Sequence, residues 1–285
     1  MSRILVTGAS GFIGKPLTFF LKSNGHEVIA ISHPNELIDP IDFDAVIHLA
    51  GEPLALGRWS KAKRERILKS RIEGTAQLCR QLEKAPPKVF ISASAVGFYG
   101  DRGEELLTEE SGAGAGFLST VCKGWERASA YLKTKGVRVV HARFGIVLGP
   151  HGGVLAKMVP VFKLGLGGKI GRGEQWISWI ALEDLIRILD HLLQSELAGP
   201  VNVCAPESVR QLDFAKTLAE ELKRPTWGSV PAWIVRAVLG DQASELLLAS
   251  AKATPAKLLD SNFAFLYSDL RSALKAALKI DMQPE

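Results

Sequence analysis

Cysteine is scarce. Three residues, Cys79, Cys122 and Cys204, are spread over 285 positions. An odd number at wide spacing supplies neither a disulfide framework nor a cysteine-based zinc site, so a reducing compartment is the expected setting. The six histidines lack ligand-like spacing, and no metal is expected. No apolar run reaches the ~18 residues of a bilayer span, so no membrane partner is expected either. Charge of one sign is not in large excess: 35 Lys and Arg against 30 Asp and Glu leave +5. That surplus suits an anionic ligand without requiring nucleic acid, and no nucleic-acid partner is expected. Low-complexity tracts and internal repeats are missing. The apolar run Ile4-Leu5-Val6 begins almost at once, leaving no room for a signal or transit peptide, and a cytoplasmic address is expected. What is plentiful is apolar material, 47% of the residues, too much for disorder and enough for a core.

Strand and helix signals alternate over the first half. Arg3 to Thr7 reads as a buried strand. Leu17, Phe20 and Leu21 then recur at helical spacing until Gly25, which caps the helix. Further strands are predicted at Glu27 to Ile31, Ala45 to Leu49, Lys88 to Ser92 and Val137 to Arg143. A basic helix is predicted over roughly 60–83. Another is predicted over 117–134, with Leu118, Val121, Trp125, Ala128 and Leu132 as its apolar stripe. Solidly apolar strands in β-then-α order predict a parallel sheet covered on both faces. After Gly149 the texture changes: glycines crowd 151–175, a strand is predicted at Trp176 to Ala181, a helix at 183–194 and a strand at Val201 to Cys204. The rest is mostly helical.

Gly8-Ala9-Ser10-Gly11-Phe12-Ile13-Gly14 lies between the first strand and the first helix. Glycines there allow a tight turn and close backbone approach to a pyrophosphate, which then faces the helix's unpaired amides and positive end. The GxxGxxG spacing differs from the GxGxxG of the typical dehydrogenases. That spacing, with Ile47-His48-Leu49-Ala50-Gly51 and Ser92-Ala93-Ser94-Ala95-Val96-Gly97-Phe98-Tyr99-Gly100, resembles the extended short-chain dehydrogenase/reductase superfamily. Gly152-Gly153-Val154-Leu155, Gly165 to Gly173 and Gln175-Trp176-Ile177-Ser178-Trp179-Ile180 narrow the resemblance to an atypical branch labelled nucleoside-diphosphate-sugar epimerase-like. The resemblance covers nearly the whole chain.

The resemblance implies an α/β fold: a Rossmann-type, doubly wound parallel sheet with a smaller, mostly helical C-terminal substrate domain. Residues 1–150 plus about 183–205 are then the NADP-binding domain, and about 151–182 plus 206–285 the substrate or cap domain. The implied cofactor is NADP(H), bordered by Gly8, Ser10, Gly11, Phe12, Ile13, Gly14, Leu49, Ala50 and Gly51.

An NAD-selective site places an acid at the end of the second strand to hold the ribose 2′-hydroxyl. Here that strand ends Ser32-His33-Pro34, and Ser32 and His33 are candidates for a 2′-phosphate instead. In the family resembled an arginine is common at the His33 position; histidine is a weaker, pH-dependent anchor. The basic helix, with Arg58, Lys61, Lys63, Arg64, Arg66, Lys69 and Arg71 in or just before it, reads mostly as a solvated face. Arg71 shares helical spacing with Ile67 and Leu78 on the inward stripe, where a guanidinium needs an anionic or acceptor partner. Arg71 is therefore predicted to reach the dinucleotide, with Arg66 behind it.

Ordinary members of the superfamily use a tyrosine and a lysine four residues later, with a serine or threonine on the preceding strand end. Ser94 fits the serine role. Where the pair belongs, this chain reads Cys122 and Glu126, and no Tyr-x-x-x-Lys occurs anywhere. A carboxylate beside a thiol raises the thiol pKa, while Glu126 remains able to accept from ribose hydroxyls. Cys122 and Tyr99 are the two candidates for a proton relay. Arg143 is a candidate for the cleft floor, with a structural ion pair as the competing account. Trp176 and Trp179 line the substrate cleft or belong to the core. Lys157, Lys163, Lys169 and Arg172 suit a phosphorylated or acidic small-molecule substrate. The expectation is an NADP(H)-binding, epimerase-like oxidoreductase of unknown substrate. The alternatives are a non-catalytic NADP(H) sensor or an NAD-dependent sugar-nucleotide epimerase or dehydratase.

Overall fold

The computed structural model describes residues 1–34, 42–54 and 59–280, with backbone only for 238, 239, 241–244 and 280. Arg58, one of the cations counted above, lies outside the described residues. In chain order the elements of the first half are β1 (Arg3–Thr7), α1 (Gly14–Ser23), β2 (Glu27–Ile31), β3 (Ala45–His48), α2 (Lys61–Leu82), β4 (Val89–Ala95), β5 (Leu106–Leu107), α3 (Phe117–Ala130) and β6 (Arg138–Phe144). There follow β7 (Ile146–Leu148), α4 (Leu155–Lys163), β8 (Gly168–Ile170), β9 (Trp176–Ile177), β10 (Trp179–Ala181), α5 (Leu182–Gln194) and β11 (Gly199–Val203). The last are β12 (Val209–Arg210), α6 (Gln211–Glu221), β13 (Gly228–Val230), α7 (Ala232–Leu239), α8 (Asp241–Leu248), β14 (Lys252–Ala253), α9 (Ala256–Asp260) and α10 (Leu270–Ile280).

Six strands form one sheet in the order β11-β6-β4-β3-β1-β2, and every pairing in it is parallel. The predicted doubly wound sheet is present. Leu17 and Leu21 of α1 and Leu185, Ile188 and Leu189 of α5 seal one face. Leu78, Cys79 and Leu82 of α2 pack on the other with Leu5, Val46 and Phe90. Full burial of a leucine contributes about 2 kcal/mol, which explains why these strands carry apolar residues on both sides. A second core joins α4, α6 and α10 through Val159, Phe162, Phe214, Leu218 and Leu274.

Two predicted elements differ in detail. The helix from residue 117 ends at Ala130 and tightens into a 3-10 turn at Tyr131–Lys135, although Leu132 is still buried. The strand predicted at 176–181 is two, broken at Ser178. There β9 pairs antiparallel with β12 and β10 parallel with β7, and the Ser178 hydroxyl donates to the Ala251 carbonyl. Helix α2 begins on Ser60, whose side chain accepts from the Lys63 amide, an N-cap worth about 1 kcal/mol.

Candidate functional site

From β1 the chain first winds to β2 on one side and then returns to β3 on the other, so the sheet's winding reverses between β1 and β3. The crevice beyond the carboxyl ends of strands at such a reversal is where this architecture takes ligands. The 8–14 turn fills its rim. Gly8 has φ 72°, and a Cβ on it would lie 2.8 Å from the Ala50 nitrogen. A Cβ on Gly14 would lie 2.1 Å from the Gly8 carbonyl oxygen. The turn is thus folded on itself and against residues 49–50, and α1 starts immediately behind it. The amides of Gly8 and Ala9 donate to the Ser32 and Ile31 carbonyls, and the Ser32 hydroxyl donates to Ser10 Oγ at 2.8 Å. The end of β2 is thereby tied to the turn and brings His33, which is exposed. The Phe12 ring packs under residues 149–153; a Cβ on Gly152 would lie 2.2 Å from it. The two glycine-rich stretches of the sequence are therefore one packing unit.

A buried relay of hydroxyls fixes the floor. His48 Nδ1 is 2.6 Å from Thr7 Oγ1 and its Nε2 is 2.9 Å from Thr75 Oγ1. Burial pushes the His48 pKa down to about 4, helped by the charge of Arg71. Sequence alone assigns this histidine no role; a polar residue closing an otherwise apolar strand is its only signal.

Arg71, Ile67 and Leu78 are all buried on the inward stripe of α2, Arg71 at 8% exposure. Its guanidinium lies against Gly51, 4.9 Å from the centre of the Trp125 ring. Nη1 donates to the Glu52 carbonyl at 3.0 Å, the one hydrogen bond of this side chain among the described residues. Four of its five donors are left for a ligand. Burial lowers its pKa to about 10, so it stays charged at neutral pH. Arg66 is engaged elsewhere: it pairs with Glu52 at 3.3 Å beside the closer Lys63–Glu52 pair at 2.7 Å. The spacing of α2 places Arg66 as a cofactor candidate, but it cannot show that Glu52, across a loop, faces it.

Further along the crevice, β4, β6 and α3 bring Ser94, Cys122, Glu126, Tyr99 and Arg143 together. Arg143 grips Glu126 through Nε and Nη2, both at 2.9 Å, and its Nη1 donates to the Tyr99 hydroxyl at 2.9 Å. Its guanidinium stacks 3.5 Å from the centre of the Phe98 ring. Ser94 Oγ donates to Glu126 Oε1 at 2.8 Å. The ion pair is thus the role of Arg143, in place of a free cation on the cleft floor. Both oxygens of Glu126 are taken by protein donors, in place of the open acceptor expected for ribose. Tyr99 is fully buried, and its one O–H hydrogen is shared between Asn202 Oδ1 at 2.7 Å and the Thr108 carbonyl at 2.9 Å; burial raises its pKa. That hydroxyl is bonded inward, which displaces Tyr99 from the relay. Cys122 is buried, and its thiol is pushed up to about 11 by burial first and the Glu126 charge second. The sign expected from Glu126 is correct, but desolvation is the larger cause. Replacing Arg143 by methionine leaves Glu126 buried without its counter-charge. A loss of about 3–5 kcal/mol is expected in denaturant unfolding at neutral pH, and Glu126→Gln in the same chain recovers part of it.

On the other side of the crevice, Trp179 is a core residue at 1% exposure and Ala181 is buried beside it. Only Trp176 remains toward solvent. Arg210 lies 4.0 Å and Lys252 4.3 Å from the centre of its ring, and its indole N–H donates to Glu104 at 3.0 Å. Hydrogen bonding by Arg210 holds the Glu104 carboxyl down to about 2. Gly165 to Gly173 supplies β8 and its turns. Lys157, Lys163, Lys169 and Arg172 are all exposed. Glu245 of α8 accepts from the Phe117 and Leu118 amides at 3.1 Å each, capping the helix that bears Cys122. Nothing in the local sequence signals that long-range cap. Among the described residues no group of three or more His, Cys, Asp or Glu is placed to hold a metal ion, and no helix is long and apolar enough to cross a membrane.

Comparison with known proteins agrees with this fold. The model of the NAD dependent epimerase/dehydratase family matches residues 4–204, and that of a domain of unknown function, DUF1731, matches residues 230–277. An epimerase family protein of Mycobacterium bovis is 38% identical over 288 residues, which cover 95% of this chain and 96% of that protein. The crystal structure of human epimerase family protein SDR39U1 (isoform 2) with NADPH matches at a TM-score of 0.92 and 34% identity, over 97% of this chain and 99% of that one. A nucleoside-diphosphate sugar epimerase from Corynebacterium glutamicum matches at 0.77 and 35% identity, over 97% of this chain and 58% of that one.

Proposed function

Because the chain belongs to the NAD dependent epimerase/dehydratase family, we propose that it is an NADP(H)-binding, epimerase-like oxidoreductase acting on a small-molecule substrate. The observation that carries this reading is the pairing of the 8–14 turn with Arg71. A glycine turn too tightly folded to admit a Cβ at Gly8 or Gly14 lies against residues 49–50, and next to them is a buried guanidinium with a single protein hydrogen bond among the described residues. The second strand ends in Ser32 and His33 with no acid to hold a 2′-hydroxyl, which suits a 2′-phosphate. The same cofactor is present in the human SDR39U1 structure.

In this reading the turn from Gly8 to Gly14, with Ser10, Phe12 and Ile13, seats the pyrophosphate through backbone amides and the start of α1. Ser32 and His33 face the 2′-phosphate, Leu49, Ala50 and Gly51 wall the crevice, and Arg71 reaches toward the nicotinamide half. NADP(H) supplies hydride transfer when bound. Ser94 orients the substrate, and Cys122, a thiol kept protonated at neutral pH, stands where a proton is needed. Glu126, neutralised by Arg143, holds Ser94. Residues of about 151–182 and 206–285 hold the substrate. The sensor alternative has one observation in its favour: Ser94 and Glu126, the polar side chains grouped with Cys122, are already bonded within the protein.

NADPH is expected to bind about tenfold or more tightly than NADH, and Arg71→Ala to weaken NADPH by at least that factor, the worth of one charge-assisted hydrogen bond. Fluorescence titration reads both; equal affinities would remove the 2′-phosphate argument. Oxidation of NADPH with carbonyl and quinone substrates, lost in Ser94→Ala and slowed in Cys122→Ser, supports the oxidoreductase. Tight binding with no turnover on any of them supports the sensor.

A further inference from the structure

Eleven large apolar side chains stand exposed among the described residues, and five of them fall on two segments that touch. Val161, Leu164 and Leu166 follow one another from α4 into the loop before β8; Trp227 and Trp233 flank β13. Gly228 pairs with Gly168, and the Leu166 amide donates to the Val161 carbonyl, so the loop folds back over the end of α4 beside Trp227. Exposure reaches 89% at Trp227, 74% at Leu164 and 64% at Leu166. Such side chains are normally covered in a soluble chain, and a cluster of them marks an interaction surface.

Charge within the two segments is of one sign, bounded by Glu174 after the first and by Glu220 and Glu221, which pair with Arg271, before the second. Residues 155–173 and 222–239 contain seven Lys or Arg and no Asp or Glu. Arg224 Nε donates to the Lys163 carbonyl at 2.9 Å, which sets cations of both segments side by side. A second copy seated on the same patch would bring cation against cation. An anionic bilayer answers both features: its interfacial zone takes tryptophan and leucine, and its head groups take lysine and arginine. We propose that the tip built from β8, β13 and the end of α4 docks peripherally on anionic lipid surfaces. Leu164, Leu166 and Trp227 enter the interface, with Lys163, Lys169, Lys223 and Arg224 facing head groups. The sequence offered no warning, because no basic amphipathic helix carries the feature; it arises only when two short strands pair.

Co-sedimentation of the full chain with vesicles tests this. Retention is expected on vesicles of equal parts phosphatidylserine and phosphatidylcholine, not on phosphatidylcholine alone, and it should fall with added salt. The pair Trp227→Ser with Leu166→Ser, and separately Lys223→Glu with Arg224→Glu, should each lower it about tenfold or more. NADPH affinity and the melting temperature should stay unchanged, which separates a lost surface from a lost fold. The proposal is overturned by no retention on the anionic vesicles, or by either variant being retained as well as the unaltered protein. A solution dimer that dissociates on Trp227→Ser, or binding to polyglutamate without binding to vesicles, overturns it as well.

Discussion

Gly14→Ala is expected to cost about a hundredfold or more in NADPH affinity and to lower thermal stability as well. The new methyl would meet the Gly8 carbonyl oxygen at 2.1 Å, the Ala9 Cα at 2.7 Å and the Ala9 carbonyl carbon at 2.9 Å. All three are backbone, so no rotamer change relieves them; the turn must open, and with it the arrangement of amides that faces an anion. Gly74 provides the contrast. It lies inside α2, and a Cβ there meets nothing within 4 Å. Gly74→Ala should leave binding intact and add about 0.5–1 kcal/mol through helix propensity. Cofactor titration with a parallel melt distinguishes the two. Normal NADPH affinity in Gly14→Ala would mean that the turn is not the nucleotide seat.

Acid should destabilise the protein steeply between about pH 6.5 and 4. His48 and His141 are buried and neutral, each with its pKa pushed from 6.5 down to about 4, by burial first in both cases. His141 also feels the raising charge of Glu126 and the lowering charges of Lys133 and Arg143. A base whose folded pKa is depressed adds nothing above its unfolded value, where both states are neutral. As pH falls through 6.5 the unfolded chain takes up protons that the folded one refuses, so stability is lost until about pH 4. With roughly 1.4 kcal/mol per unit, each histidine removes on the order of 3 kcal/mol over that window. Urea midpoints at a series of pH values read the effect. His48→Gln should reduce the protons taken up on unfolding in this range from two to one. A flat profile would show that neither imidazole is held neutral.

The parts of the fold legible in the sequence are those fixed locally. β1 and β2 match their predicted bounds, because short apolar runs bounded by glycine turns have no competing reading. α2 starts where Ser60 offers its hydroxyl to the Lys63 amide. The inward place of Arg71 followed from helical spacing alone. What could not be read depends on partners far along the chain. Glu126 reads as an open acceptor because Arg143 sits not on α3 but on strand β6, 17 residues on. Tyr99 looked like a relay because its acceptor, Asn202, is 103 residues away. The charge of Glu126 alone makes Cys122 a weak acid, but the larger cause, desolvation, depends on how tightly α3 packs on β4. Trp179 and Trp176 were indistinguishable on paper; the break at Ser178 turns one inward and leaves the other outward.

The Glu245 carboxylate seated on the first amides of α3 limits how this polypeptide can be recombined. Nearby, β14 runs alongside β5, and Asn202 Nδ2 donates to the Thr254 carbonyl at 2.8 Å. Residues 245–254 of the tail are therefore stitched to α3, β5 and β11 at three places. A chimera that exchanges everything beyond residue 205 for the corresponding stretch of a relative inherits a foreign residue opposite Phe117 and Leu118. It leaves those amides without their acceptor unless the graft also carries its own acid at that position. Domain shuffling in this lineage is for that reason coupled: the α3 helix and the segment that crowns it can only travel together.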